Sequence, residues 1–224
     1  MIEKPVYPFP KAVLFDWDNT LIDSFPAIYK AMCETLAHFK MPVPSFEEYT
    51  GHLGLSLRDT FPAMFKDRWE EARDIYLTAF QEHHLETLVP FDGARDVLEF
   101  CRREIGHAAV VSNKTGFILR KEVEHLGWNG FFDAVYGATD LPHDKPAADP
   151  VIAALEKSGI GYDNGRPSGA VWFVGDGDAD IACALNSGCL PVRIAPENKD
   201  GGDVLTVKNC RELLSELYSC LGTR

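Results

Sequence analysis

Short apolar runs recur along the chain at Lys11-Ala12-Val13-Leu14-Phe15, Ala108 to Val111, Ala134 to Tyr136, Ala170 to Val174 and Leu190 to Ile194, and each reads as a strand. Between several of them the apolar spacing changes to steps of three and four. Ile118, Leu119, Val123 and Leu126 follow Thr115, Val151, Ile152 and Leu155 follow Asp149-Pro150, and Ile181, Ala182 and Leu185 follow Asp178. Thr115 reads as a helix cap whose helix Gly127 closes, and Asp149 as a cap with proline at the first helical position and Gly159 as the stop. Asp178 opens a third helix, closed by Gly188. Strands alternating with helices in this way predict an α/β fold, a parallel sheet covered by helices.

One stretch breaks the alternation. Phe25, Ile28, Met32, Leu36 and Phe39, and then Trp69, Ala72, Tyr76, Ala79 and His83, recur at helical steps with no strand between them. Residues 24–88 therefore predict a small all-helical cap domain, with residues 1–23 and 89–224 forming the core. Pro42, Pro44 and the segment Gly51-His52-Leu53-Gly54 interrupt its helices. A helical module inserted just after a strand end is well placed to act as a lid over whatever that end carries. Its aromatic stripe reads as packing between the cap helices.

The strand end in question carries Asp16 and Asp18. Strand residues two apart point the same way, so the two carboxylates share a side and Trp17 faces the other. A cation, a proton or a lysine could neutralise such a pair. Three further polar segments sit where strands end or helices begin: Ser112-Asn113-Lys114, Lys145-Pro146 and Gly175-Asp176-Gly177-Asp178-Ala179-Asp180. In an open parallel sheet the ligand crevice lies beyond the carboxyl ends of the strands, so these segments can converge on Asp16 and Asp18. Asp178 reads as an acid favoured at a helix N-terminus, and Lys114 as a solvated side chain. His83-His84, His107, His125 and His143 lack the spacing of a zinc site.

These segments, in this order, resemble the haloacid dehalogenase superfamily, and within it the phosphatases with a small helical cap, closest in motif style to phosphoglycolate phosphatases. The D-x-D-x-T motif is read at Asp16-Trp17-Asp18-Asn19-Thr20, the serine at Ser112, the lysine at Lys145 and the acidic G-D-x-x-x-D at Asp176 and Asp180. The resemblance implies a Rossmann-like parallel sheet with helices on both faces plus the helical cap. Four carboxylates in one mouth need compensation, and Mg²⁺, a hard cation that prefers oxygen, would supply it. By the resemblance, Asp16 and Asp176 offer it carboxylate oxygens, Asp18 a backbone carbonyl and Asp180 outer support, while Lys145 adds a fixed positive charge. Asp16 is then the nucleophile that becomes an aspartyl-phosphate, and Asp18 the acid and base. Thr20, Ser112, Asn113 and Lys145 are the expected phosphate-binding residues, and Arg58 in the cap could read a second anionic group of the substrate.

An aspartate at position 18 separates this chain from the dehalogenases, which displace halide and need no proton donor there. Asn19 stands where glycine is commoner in the family, and asparagine tolerates the positive φ of a tight turn. Ala148 replaces a usual proline. Two other readings share the motifs: a mutase like β-phosphoglucomutase, in which the phosphoryl group passes to a sugar, and a catalytically silent binding or regulatory protein of the same fold.

Composition removes other classes. Hydrophobic residues at 46% and charged residues at 25% suit an ordinary globular protein. Asp and Glu exceed Lys and Arg by 34 to 22, a net charge of -12 without a basic run, which argues against nucleic acid as partner. The scattered cysteines lack a C-x-x-C pair and read as reduced core thiols. With neither a secretion signal nor a run able to cross a bilayer, the expectation is a cytoplasmic monomer or homodimer acting on a small phosphorylated metabolite.

Overall fold

A computed structural model of the chain describes residues 7–49, 55–196 and 204–223. In chain order the first half runs β1 (Ala12–Phe15), β2 (Ile22–Asp23), α1 (Phe25–His38), α2 (Phe46–Tyr49), α3 (Leu57–Phe65), α4 (Trp69–His83), β3 (Val89–Pro90), α5 (Ala94–Phe100) and β4 (Ala108–Thr115). The second half runs α6 (Gly116–His125), β5 (Ala134–Ala138), α7 (Asp149–Leu155), β6 (Tyr162–Asp163), β7 (Arg166–Pro167), β8 (Val171–Gly175), α8 (Asp178–Asn186), β9 (Leu190–Ile194), β10 (Leu205–Val207) and α9 (Cys210–Cys220).

Every residue of β1 is buried, as a central strand covered on both faces must be. It pairs in parallel with β4 on one side and β8 on the other, within a six-stranded sheet of order β10-β9-β8-β1-β4-β5. Strand alternation divides the core in two. Val13, Phe15, Val110, Trp172 and Val174 pack under α5, α6 and α9, while Ala12, Leu14, Val111, Val171 and Phe173 pack under α7 and α8. Each fully buried large side chain contributes roughly 1.5–3 kcal/mol, so both faces are strongly held.

The insert is helical as its periodicity predicts. α1, α3 and α4 enclose Phe25, Met32, Phe61, Phe65, Tyr76 and Phe80, a cluster separate from the sheet core and joined by Ile118 of α6. The chain leaves for these helices and returns from them through the antiparallel pair β2 and β3. The interruption expected at Gly51-His52-Leu53-Gly54 lies outside the described residues.

Boundaries depart from the sequence reading in instructive ways. β4 runs past its apolar stretch to Thr115, because pairing with β5 resumes there after an irregularity between Val111 and Thr115. That irregularity holds Ser112, Asn113 and Lys114, and such bulges re-aim side chains. α7 is capped one residue earlier than expected, at Ala148, and the Asp149 carboxylate pairs with His143 Nδ1 at 2.9 Å instead. α8 does open at Asp178 as expected, with Gly177 at the cap position. Gly127 and Gly188 do close α6 and α8 in left-handed conformation, at φ 67 and 68. The short strands β6, β7 and β10 were not foreseen. The cysteines are all free, and all but Cys33 are buried. Among the described residues no helix is long and apolar enough to cross a membrane.

Candidate active site

Pairing of β1 with β8 continues to the last residue that can carry it: the Asp16 N–H donates to the Val174 carbonyl at 2.8 Å. Beyond it the chain turns sharply. The N–H groups of Leu21 and Ile22 both donate to the Trp17 carbonyl, at 3.0 and 3.1 Å, and Asn19 takes the positive φ of 57 that its side chain tolerates. Trp17 points away from Asp16 and Asp18, fully buried and edge-on to Trp128 and Phe132.

Asp16 thus stands at the carboxyl edge of the sheet, where β8 delivers Asp176 and the start of α8 delivers Asp180. Carboxylate oxygens of the three residues all lie within 4.8 Å of one another. Lys145 reaches the same point from the loop before α7. Its Nζ sits 2.7 Å from Asp16 Oδ1 and 2.6 Å from Asp180 Oδ1, with the side chain only 2% exposed. The second oxygen of Asp180 accepts from the Gly177 N–H at 2.9 Å, which fixes it at the helix start. Gly175 packs against the Asp180 carboxyl so closely that no side chain fits there.

One lysine does not balance three carboxylates, and the electrostatics record the deficit. Burial pushes Asp16 up to about 7, with Lys145 opposing and the Asp180 and Asp18 charges adding to the rise. Burial likewise pushes Asp176 up to about 8, reinforced by Asp16 and Asp180. Burial alone would lower Lys145, yet the two carboxylates beside it hold it above its ordinary value. Clustered oxygen donors that protonate in the absence of a cation form a donor set suited to a hard divalent ion, and Mg²⁺ fits it.

Asp18 lies outside that cluster. Its Oδ1 accepts from the Ser24 hydroxyl and pairs with Lys114 Nζ at 2.6 Å. Lys114 is therefore not solvated as the sequence suggested: its side chain is 5% exposed and its ammonium also meets Glu122 Oε2 at 2.7 Å. Glu122 is fully buried, accepts from Trp17 Nε1 at 2.6 Å and lies 2.7 Å from Nδ1 of the buried His84, just beyond α4. A buried carboxylate needs such partners, and Glu122 draws them from the cap exit, the β1 turn and the β4 bulge. Glu122 escaped the sequence reading, which set Lys114 and His84 aside. The available signal was a glutamate at a helical step on the apolar face of Ile118, Leu119 and Val123.

Ser112 and Asn113 lie on the β4 bulge beside Lys145. The Asn113 side chain exchanges two hydrogen bonds with the Lys145 backbone, both 3.0 Å, so it anchors the lysine loop. Thr20 is not among the residues that line the cavity, and its hydroxyl is fully buried with no hydrogen-bond partner among the described residues. Arg58 also goes elsewhere. Its Nε meets Asp144 Oδ2 at 2.6 Å, and that carboxylate, with its side chain 2% exposed, requires a charged partner. Asp178 is exposed and pairs with Arg193 at 2.8 Å. A cavity of about 690 Å³ opens over Asp16, Asp18, Ser112, Lys145 and Asp176, roofed by residues from the cap helices.

The family model of haloacid dehalogenase-like hydrolases matches residues 13–194. Phosphoglycolate phosphatase of Aquifex aeolicus is 31% identical over 182 residues, which cover 80% of this chain and 81% of that protein. Pyrophosphatase PpaX of Bacillus velezensis is 27% identical, with 82% of each chain covered. Among solved structures, a predicted phosphatase from Clostridium acetobutylicum superposes with a TM-score of 0.79 at 23% identity, over 95% of this chain and 100% of that one. The match runs from within β1 to the last residue of β9 and takes in both the sheet and the helices above it, so the chain belongs to the haloacid dehalogenase-like hydrolases, as a phosphatase of that family.

Proposed function

We propose that the protein is a Mg²⁺-dependent phosphatase of small phosphorylated metabolites that cleaves phosphate monoesters through a phosphorylated Asp16. The observation that carries this reading is the meeting of Asp16, Asp176, Asp180 and Lys145 at the carboxyl edge of the sheet. Asp16 and Asp176 would hold the ion with carboxylate oxygens, Asp18 with its backbone carbonyl, and Asp180 would stand behind them. When bound, Mg²⁺ supplies the positive charge that offsets the repulsion between an anionic nucleophile and an anionic phosphate.

A carboxylate oxygen of Asp16 bonds to phosphorus as the bond to the leaving oxygen breaks, and Asp18 gives that oxygen its proton. In the second half Asp18 takes a proton from a water, whose oxygen displaces the phosphoryl group from Asp16. Ser112 and Lys145 steady the phosphoryl oxygens, with Asn113 bracing Lys145. Relatives named phosphoglycolate phosphatase and pyrophosphatase support phosphate hydrolysis as the reaction class. Phosphate release from a panel of monoesters tests it: activity should require Mg²⁺, vanish in Asp16→Asn and leave a hydroxylamine-labile phosphoryl adduct on acid quench. Turnover by Asp16→Asn, or in excess chelator, refutes it.

A further inference from the structure

Charge on the cavity wall limits what the leaving group can be. Among the described residues, the cations lining the cavity are Lys114 and Lys145, and each is held between two carboxylates. Arg58 is engaged by Asp144 and lies off the wall, and Lys30, Lys40 and Lys66 of the cap are exposed elsewhere. Residues 50–54, Thr-Gly-His-Leu-Gly, contain neither lysine nor arginine. The charge that the cap does present to the cavity is negative: Asp59, which accepts from the Ser56 hydroxyl at 2.8 Å.

The remainder of the cap wall is largely apolar. Leu55 and Met64, 53% and 38% exposed, are large apolar side chains left open, and both line the cavity with Ile28, Leu57 and Leu77. Open apolar surface inside a concave site marks where a ligand's apolar part rests. The volume of about 690 Å³ falls within the ~300–1,000 Å³ of pockets that enclose a drug-sized molecule, far more than a two-carbon acid fills.

Building on the phosphatase reading, we propose that the preferred substrates are phosphate monoesters whose leaving group is uncharged and carries an apolar or aromatic body. A second anionic group on the substrate would face Asp59 with both described wall cations, Lys114 and Lys145, already paired, which disfavours it. The Mg²⁺-loaded full chain, assayed for phosphate release from 2-phenylethyl phosphate, ethyl phosphate and 2-phosphoglycolate, decides the matter. We expect kcat/KM to fall in that order, with 2-phenylethyl phosphate leading 2-phosphoglycolate by about tenfold or more, the range that burying a ring supplies. In Met64→Lys, a change at an exposed position, the ratio should move towards 2-phosphoglycolate by about tenfold, because a free cation then faces the leaving group. If 2-phosphoglycolate equals or exceeds 2-phenylethyl phosphate, or Met64→Lys leaves the ratio unchanged, the substrate class is wrong while the phosphatase reading stands. Phosphate release from none of the three removes both.

Discussion

Replacing Lys114 with methionine keeps the length and apolar stem of the side chain and deletes only its charge. In the folded protein that charge lies between Asp18 and Glu122, 2.6 and 2.7 Å away, and 4.9 Å over the Phe80 ring. Burial alone would lower the lysine, but the two carboxylates hold it above its ordinary value, so it stays protonated at neutral pH. Its loss leaves Glu122 fully buried with only Trp17 and His84 to compensate it. Breaking a buried pair from one side costs ~3–5 kcal/mol, and the surviving partners argue for about 3. At ~2–4 °C per kcal/mol for a chain of this length, Tm should fall by roughly 6–12 °C. Adding Glu122→Gln should recover part of the loss, since the glutamine needs no counter-charge. Asp18 would keep Ser24 but lose its fixed direction, so kcat on alkyl phosphates should drop by ~10–100-fold. The drop should be smaller on 4-nitrophenyl phosphate, whose leaving group departs without a proton. Calorimetry with kinetics on both substrates checks this. A Tm within about 1 °C of the parent would refute the buried-pair account.

Asp16 and Asp176, pushed up to about 7 and about 8, bind protons in the metal-free fold that the unfolded chain has already released, so this stabilisation is lost as pH rises through that range. Mg²⁺ needs the ionised carboxylates, so its effect on Tm should be larger near pH 8 than near about pH 5, and equal effects in thermal melts would contradict the shared site. Gly175→Ala should displace Asp180, whose Cβ and carboxyl both stand in the way, and so weaken Mg²⁺ affinity in calorimetric titration and lower Tm as well. Arg58→Ala should destabilise by ~1–3 kcal/mol by stranding Asp144, and change kcat/KM alike for charged and uncharged substrates. A loss confined to carboxylate-bearing substrates would restore Arg58 to a reading role.

Apolar runs and helical spacing were enough to place the central strands and most helices, because burial on both faces leaves an unmistakable pattern. β6, β7 and β10 were invisible: only two or three residues long, they exist through pairing, β6 with β7 across a two-residue turn and β10 with β9. The same divide runs through the site. Asp16, Lys145, Asp176 and Asp180 sit where strands end or helices begin, so their convergence follows from sheet topology. Lys114 was misread because a lone lysine is solvated by default, and only the fold brings Glu122 over it. Arg58 and Asp144 meet across the cap and the core, a pairing that neither segment encodes by itself.

The central position of β1 has a consequence for biosynthesis. Val13 finds its neighbours only at Ala108 and Trp172, whereas the helices around Phe25, Phe61 and Phe80 draw mostly on one another. On the ribosome the lid can therefore gather its aromatic residues while the strand beneath it still waits for most of the chain to emerge. The carboxylate cluster of Asp16, Asp176 and Asp180 cannot assemble until β8 and α8 have been made, and a nascent chain truncated before them carries a finished roof over an unbuilt floor.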